Sequence, residues 1–208
     1  AFCVLEMFAT MLSRRKTHPM LLVQSALGVP IWISPLESHR LAVGESNFTC
    51  CERNHEGIFE KCDRDVARDV LIKMIVKKTE YLFELDNVVL ARLTQCQTSW
   101  FLRGLSDDTS DDTVENESVQ IFRTYLKWSQ VDDKEWFDRG GISILFYAIV
   151  AKKTRVVKLL LESLDKVKSE EIRRRRLVSA VSKEGFVDAG VTGKMNALSV
   201  AMFMGTPE

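Results

Sequence analysis

Proline and glycine are scarce, four and ten among 208 residues, which excludes a collagen-like chain. Cysteine is scarcer relative to what a stapled scaffold needs: five thiols, an odd number, do not make the disulfide framework of a small secreted domain. Charge of one sign is missing too. Lys and Arg number 29 and Asp and Glu 29, so no net field draws the chain to nucleic acid, which is not expected among its partners. No apolar run reaches the roughly 18 residues of a membrane span, and no membrane partner is expected. The apolar opening, residues 1–12, holds Glu6 and is followed by Arg14, Arg15 and Lys16, whereas a secretory leader carries its basic residues first. A cytoplasmic protein is the expectation. Asn47-Phe48-Thr49 and Asn116-Glu117-Ser118 fit a glycosylation pattern that means little without secretion.

What is present is globular: 46% hydrophobic and 28% charged residues, enough for one ordinary domain or two small ones. Leu5, Phe8 and Leu12 recur at helical spacing, with basic residues where a helix C-terminus favours them. His18-Pro19 ends that helix. Residues 20–23 form a short apolar run suited to a buried strand, and residues 28–33 a second run that Pro30 demotes to an edge strand or loop. Helix, strand and loop in that order suggest the later part of an α/β domain. Asp63 is placed to cap an amphipathic helix whose apolar face is Val66, Val70, Leu71, Met74 and Ile75, and Asn87 to cap another. Residues 106–118 are acidic and almost free of apolar side chains, the composition of a flexible linker. Beyond them Ile121, Phe122, Tyr125 and Leu126 open a second, helical region.

That second region carries the most specific pattern. Gly141 permits a tight turn, and the Ser143 hydroxyl can cap the helix that follows. Leu145, Ala148 and Ile149 make one helical face, and Val156, Val157, Leu160 and Leu161 an answering one. This segment resembles an ankyrin repeat, with Ser143 in place of Thr and with Leu145, Ala148 and the Val-Val and Leu-Leu pairs at the family's spacing. Ile144 stands for Pro, Phe146 for His, and Lys152 for the glycine between the helices. A second unit starts at Asn196, with Leu198 and Ala201 answering Leu145 and Ala148, and Gly205 supplying the glycine that the first unit lacks. The offset exceeds the family's period of ~33 residues, which requires an insertion across about residues 165–193. The chain starts without Met and stops inside this second unit, so both ends are expected to be cut from a longer protein.

Phe2-Cys3-Val4-Leu5-Glu6 resembles the aromatic-Cys-x-x-Glu helix of Toll/interleukin-1-receptor-like α/β domains, segments of which also precede repeats in large protist and algal proteins. In family members that cleave NAD this glutamate is catalytic, so the resemblance offers Glu6 as the alternative catalytic residue; otherwise Glu6 is structural. Cys50, Cys51, His55 and Cys62 raise the question of zinc. Adjacent cysteines are not expected to share one ion without strain, and incidental or buried thiols are the expectation, with no metal. Gly190-Val191-Thr192-Gly193-Lys194 lacks the spacing and the Ser/Thr of a phosphate loop. Arg173 to Arg176, beside Glu170 and Glu171, read as a solvated helix face. His18, His39 and His55 join no defensible triad.

The expectation is an α+β, mostly α chain. It comprises an α/β remnant over residues 1–105, an acidic linker over 106–118, and an ankyrin-like helical array over 119–208. The expected function is protein–protein recognition by a scaffold with no cofactor. Arg139, Phe146, Lys152, Lys153 and Lys194 are the candidate contacts, because they lie on or near turns and the inner helix. The alternative is a fragment of a Toll/interleukin-1-receptor-like NAD-processing enzyme fused to repeats, with Glu6 as its catalytic relic.

Overall fold

The structure is a computed structural model. It describes residues 2–14, 20–23, 25–33, 42–53, 61–105, 118–128, 136–178, 185–186 and 191–204. The chain is mostly helical. Helix α1 (Phe2–Met11) leads to strands β1 (Met20–Leu22) and β2 (Ile31–Ile33), a 3-10 turn (Val43–Glu45) and the short α2 (Thr49–Glu52). The long α3 (Asp63–Glu84), α4 (Val88–Cys96), α5 (Thr98–Phe101) and α6 (Val119–Tyr125) follow. Then come α7 (Ile144–Val150), α8 (Thr154–Asp165), α9 (Glu170–Val178), strands β3 (Gly185–Phe186) and β4 (Val191–Thr192), and α10 (Ala197–Met204).

The first hydrophobic core joins Phe8 and Met11 of α1, Val43, Leu71 and Ile75 of α3, and Trp100 and Phe101 of α5. Phe8 meets both aromatic rings edge-on, with centroids 5.3 and 5.2 Å away, the arrangement that the ring quadrupoles favour. At the rim the backbones of Gly44 and Gly104 touch, and a Cβ on Gly44 would overlap the Gly104 carbonyl. Arg64 locks this crossing: its Nε donates to the Gly104 carbonyl at 2.9 Å.

The apolar stripe of α3 is rotated from the expected one. Ala67, Leu71, Ile75, Thr79 and Leu82 are buried, while Val66 and Val70 are exposed. Small Ala67 faces the core where a valine would hold the neighbour away. Cys62, not Asp63, is the N-cap, and Asp63 sits inside the first turn, where its charge suits the helix dipole. Asn87 does occupy the N-cap of α4, without a side-chain hydrogen bond.

The two apolar runs expected to belong to an α/β domain pair with each other instead. β1 and β2 run antiparallel, with Leu21 opposite Trp32. Both side chains are largely exposed, so residue 21 does not lie on a buried strand. The described residues hold only two short antiparallel pairs and no parallel sheet. Antiparallel pairing between nearby segments needs only a short connection, whereas a parallel pair needs a crossover of a dozen or more residues.

The second core gathers Leu93 and Cys96 of α4, Phe122 and Leu126 at α6, most of α7, and Val156, Leu160 and Leu164 of α8, with Ala197 and Val200 of α10. α7 packs against α4, α8 and α10, and α8 packs against α6 as well. Ser143 caps α7 as the sequence suggests, its Oγ accepting from the Phe146 N–H at 3.2 Å. The helix ends in a left-handed residue, Lys152, at φ 55°. There the N–H groups of Lys152 and Lys153 return to the carbonyls of Ile149 and Ala148, satisfying two of the last free acceptors. The same closure recurs with Asp86 at φ 56° after α3 and Lys127 at φ 49° after α6.

Candidate binding surface and the network beneath it

The turn ahead of α7 is built from residues 136–143. The Gly141 N–H donates to the Asp138 carbonyl at 2.9 Å, and Asp138 and Ile142 close the hairpin-like loop through N–H to carbonyl at 3.0 Å. Gly141 sits at φ 75°, a conformation that a side chain would strain. Gly140 lies so close to Val89 of α4 that a Cβ would come within 2.7 Å of its methyl. This contact presses the turn against the neighbouring helix and leaves Arg139 exposed at its tip, 3.6 Å from Asp86.

Beneath the turn lies a buried polar network. Asp138 and Arg92 face each other at 3.6 Å, both side chains 1% exposed. Arg92 also donates from Nε to the Leu126 carbonyl at 2.8 Å and from Nη2 to the Lys127 carbonyl at 2.9 Å. Its guanidinium carbon lies 4.6 Å from the Trp128 ring centroid. Asp138 accepts from the Tyr147 hydroxyl at 2.6 Å and from the Ile142 N–H at 2.9 Å. Burial pushes the Asp138 carboxyl above the ordinary range, opposed by the Tyr147 hydroxyl, the Ile142 N–H and the Arg92 charge. Burial also holds the Tyr147 phenol well above its usual range, reinforced by the neighbouring carboxylate. The network ties α4, the end of α6, the turn and α7 into one unit.

The expected contact residues separate into two groups. Arg139, Lys152 and Lys194 are exposed, and Lys153 is half-buried. Phe146 is 1% exposed and belongs to the core, so it is not a contact. The reason is geometric: every residue from Ile144 to Ala148 is buried, because α7 is covered by three helices at once. Leu145, Ala148, Val156 and Leu160 are buried and Val157 packs partly against them, whereas Leu161 faces outward. In the second unit Asn196 caps α10, its Oδ1 accepting from the Ser199 N–H at 2.8 Å. Ala197 and Val200 are the buried pair there, Ala201 is half-buried, and Leu198, expected to answer Leu145, is 63% exposed. Gly205 and His55 lie outside the described residues.

Glu6 is exposed on α1, and its backbone carbonyl accepts from the Thr10 hydroxyl at 3.0 Å. No other expected site residue is brought to it among the described residues. The arginines of α9 are more engaged than a solvated face implies. Arg176 lies 4.8 Å from the Trp136 ring centroid and Arg175 5.4 Å from that of Phe137, while Arg173 pairs with Asp165 at 3.3 Å. The buried Arg92 and Asp138 had no signal in the linear sequence. No described helix is long and apolar enough to cross a membrane. Comparison of the chain with protein-family models, with curated proteins and with solved structures gives no match.

Proposed function

We propose that this chain is an ankyrin-type scaffold that recognises a protein partner in the cytoplasm. The observation that carries the reading is the unit from residue 136 to 165. It combines a tight turn, a short capped helix, a left-handed reversal and a longer antiparallel helix with a buried alanine at the crossing. Such a unit hides its faces against neighbours and leaves its turns free, so partner binding orders little on the scaffold side. Arg139, Lys152 and Lys194 project from three turns, and they suit an acidic partner surface. The NAD-processing alternative rests on Glu6 alone.

The test uses the full chain as bait, followed by charge reversal. Arg139→Glu, Lys152→Glu and Lys194→Glu are expected to weaken a captured partner and steepen no unfolding transition, since none of the three is buried. A partner whose affinity all three variants leave unchanged would overturn the assignment of this surface. NAD turnover that Glu6→Ala abolishes would replace the scaffold reading with the enzymatic one.

A further inference from the structure

Three of the five cysteines converge at one place outside the surface described above. Cys50 and Cys51 lie on α2 and Cys62 is the N-cap of α3, eleven positions after Cys51 in the sequence. Their sulfurs stand 3.9 Å apart for Cys50 and Cys51, 3.9 Å for Cys50 and Cys62, and 3.6 Å for Cys51 and Cys62. All three thiols are free. Sequence adjacency argued against joint ligation by Cys50 and Cys51, but the helical turn swings both sulfurs to one side.

The spacing has a chemical meaning. Zinc–thiolate bonds of about 2.3 Å at tetrahedral angles separate the sulfurs by about 3.8 Å. Every edge of this triangle lies close to that value. A disulfide needs about 2.05 Å and leaves a third thiol over. We propose that Cys50, Cys51 and Cys62 together ligate one zinc ion, clamping α2 to the N-terminus of α3.

The surroundings fit that role. Cys50 is fully buried against the first core, while Cys51 and Cys62 are partly exposed, which gives an ion a way in. The Asp63 N–H donates to the Cys50 sulfur at 3.3 Å, and the N–H groups of Arg64 and Asp65 are directed at Cys62. Three thiolates on a dication carry net negative charge, and the N-terminus of a helix 22 residues long is where such charge is stabilised. Sulfur donors select against calcium and magnesium, which take oxygen. The fourth tetrahedral position is left for water or a further side chain.

The experiment is metal analysis of the full chain, purified with its thiols reduced, combined with cobalt(II) substitution. One zinc per chain is expected, and cobalt is expected to give a sulfur-to-metal charge-transfer band whose intensity counts three thiolates. Zinc should displace that band. Cys50→Ala, Cys51→Ala and Cys62→Ala should each lose most of the zinc, and Cys3→Ala should keep it. The band in the unaltered chain decides the matter even where a variant fails to fold. Absence of both zinc and the cobalt band overturns the proposal. So does a different native metal, a disulfide among the three, or full zinc retention in a folded Cys62→Ala chain.

Discussion

Arg92 and Asp138 are the residues on which the second core is most exposed to damage. Each has lost its water, and each has the other as its charge partner. Asp138→Ala removes a buried carboxylate from the buried Arg92 guanidinium and is expected to cost about 3–5 kcal/mol, measured by urea unfolding. Lys152 is the opposite case. A non-glycine residue in the left-handed region costs on the order of 1 kcal/mol, so Lys152→Gly is expected to raise stability by up to about that amount in the same assay. The phenols supply a pH signature. Tyr125 is partly exposed, but its hydroxyl donates inward to the Gln95 carbonyl at 2.8 Å, and burial there pushes its titration up to about 12. Tyr147 is shifted in the same direction. In the unfolded chain both phenols ionise near pH 10. Above that pH the folded state binds more protons than the unfolded one, so their contribution is complete below pH 10 and drains away as pH climbs through the folded values. The double variant Tyr125→Phe, Tyr147→Phe should therefore show a shallower alkaline fall in melting temperature. The position of Lys152 was legible from the glycine it replaces, whereas the buried pair and the phenols were not. A lone arginine in an apolar helix reads as solvent-facing, and only carbonyls brought from residues 126 and 127 make its burial tolerable.

At the scale of the element, local chemistry was readable and orientation was not. Ser143 was identified as a cap from its place before an apolar run, and Ser143→Ala is expected to cost about 1 kcal/mol by thermal unfolding. The helices around Leu71, Leu93, Leu145 and Leu160 were equally plain from spacing. Which stripe faces inward was harder, because α3 carries apolar residues on two adjacent stripes and only packing chooses Ala67 over Val66. The two strands stand where the sequence puts them, but the burial expected of the first does not hold, for a related reason. A run such as Met20-Leu21-Leu22 has the composition of a buried strand whether or not anything covers it. The three thiols lay close in sequence, but the turn that converges their sulfurs exists only in three dimensions.

At the scale of the whole molecule the described residues form two hydrophobic cores, one on each side of the extensively packed α3–α4 pair. That shared pair should make unfolding cooperative. Leu71→Ala in one core and Leu160→Ala in the other are each expected to cost about 2–5 kcal/mol and to shift one common transition rather than two, by calorimetry. Both cores are tied by contacts between residues far apart in the chain, but the α7–α8 hairpin within the second is also closed locally. Arg64 bonds to Gly104 across 40 residues, and Lys78 reaches the Ser13 carbonyl across 65. The α7–α8 hairpin is closed by bonds spanning only a few residues, such as the Lys153 N–H to the Ala148 carbonyl. Loop-closure entropy therefore delays the assembly of the first core during folding and spares the α7–α8 hairpin. In pulsed amide labelling during refolding, residues 144–165 should be protected before residues 63–75. During synthesis α1 and α3 thus emerge well before Gly104, and the first core waits for that residue to arrive before it can be sealed.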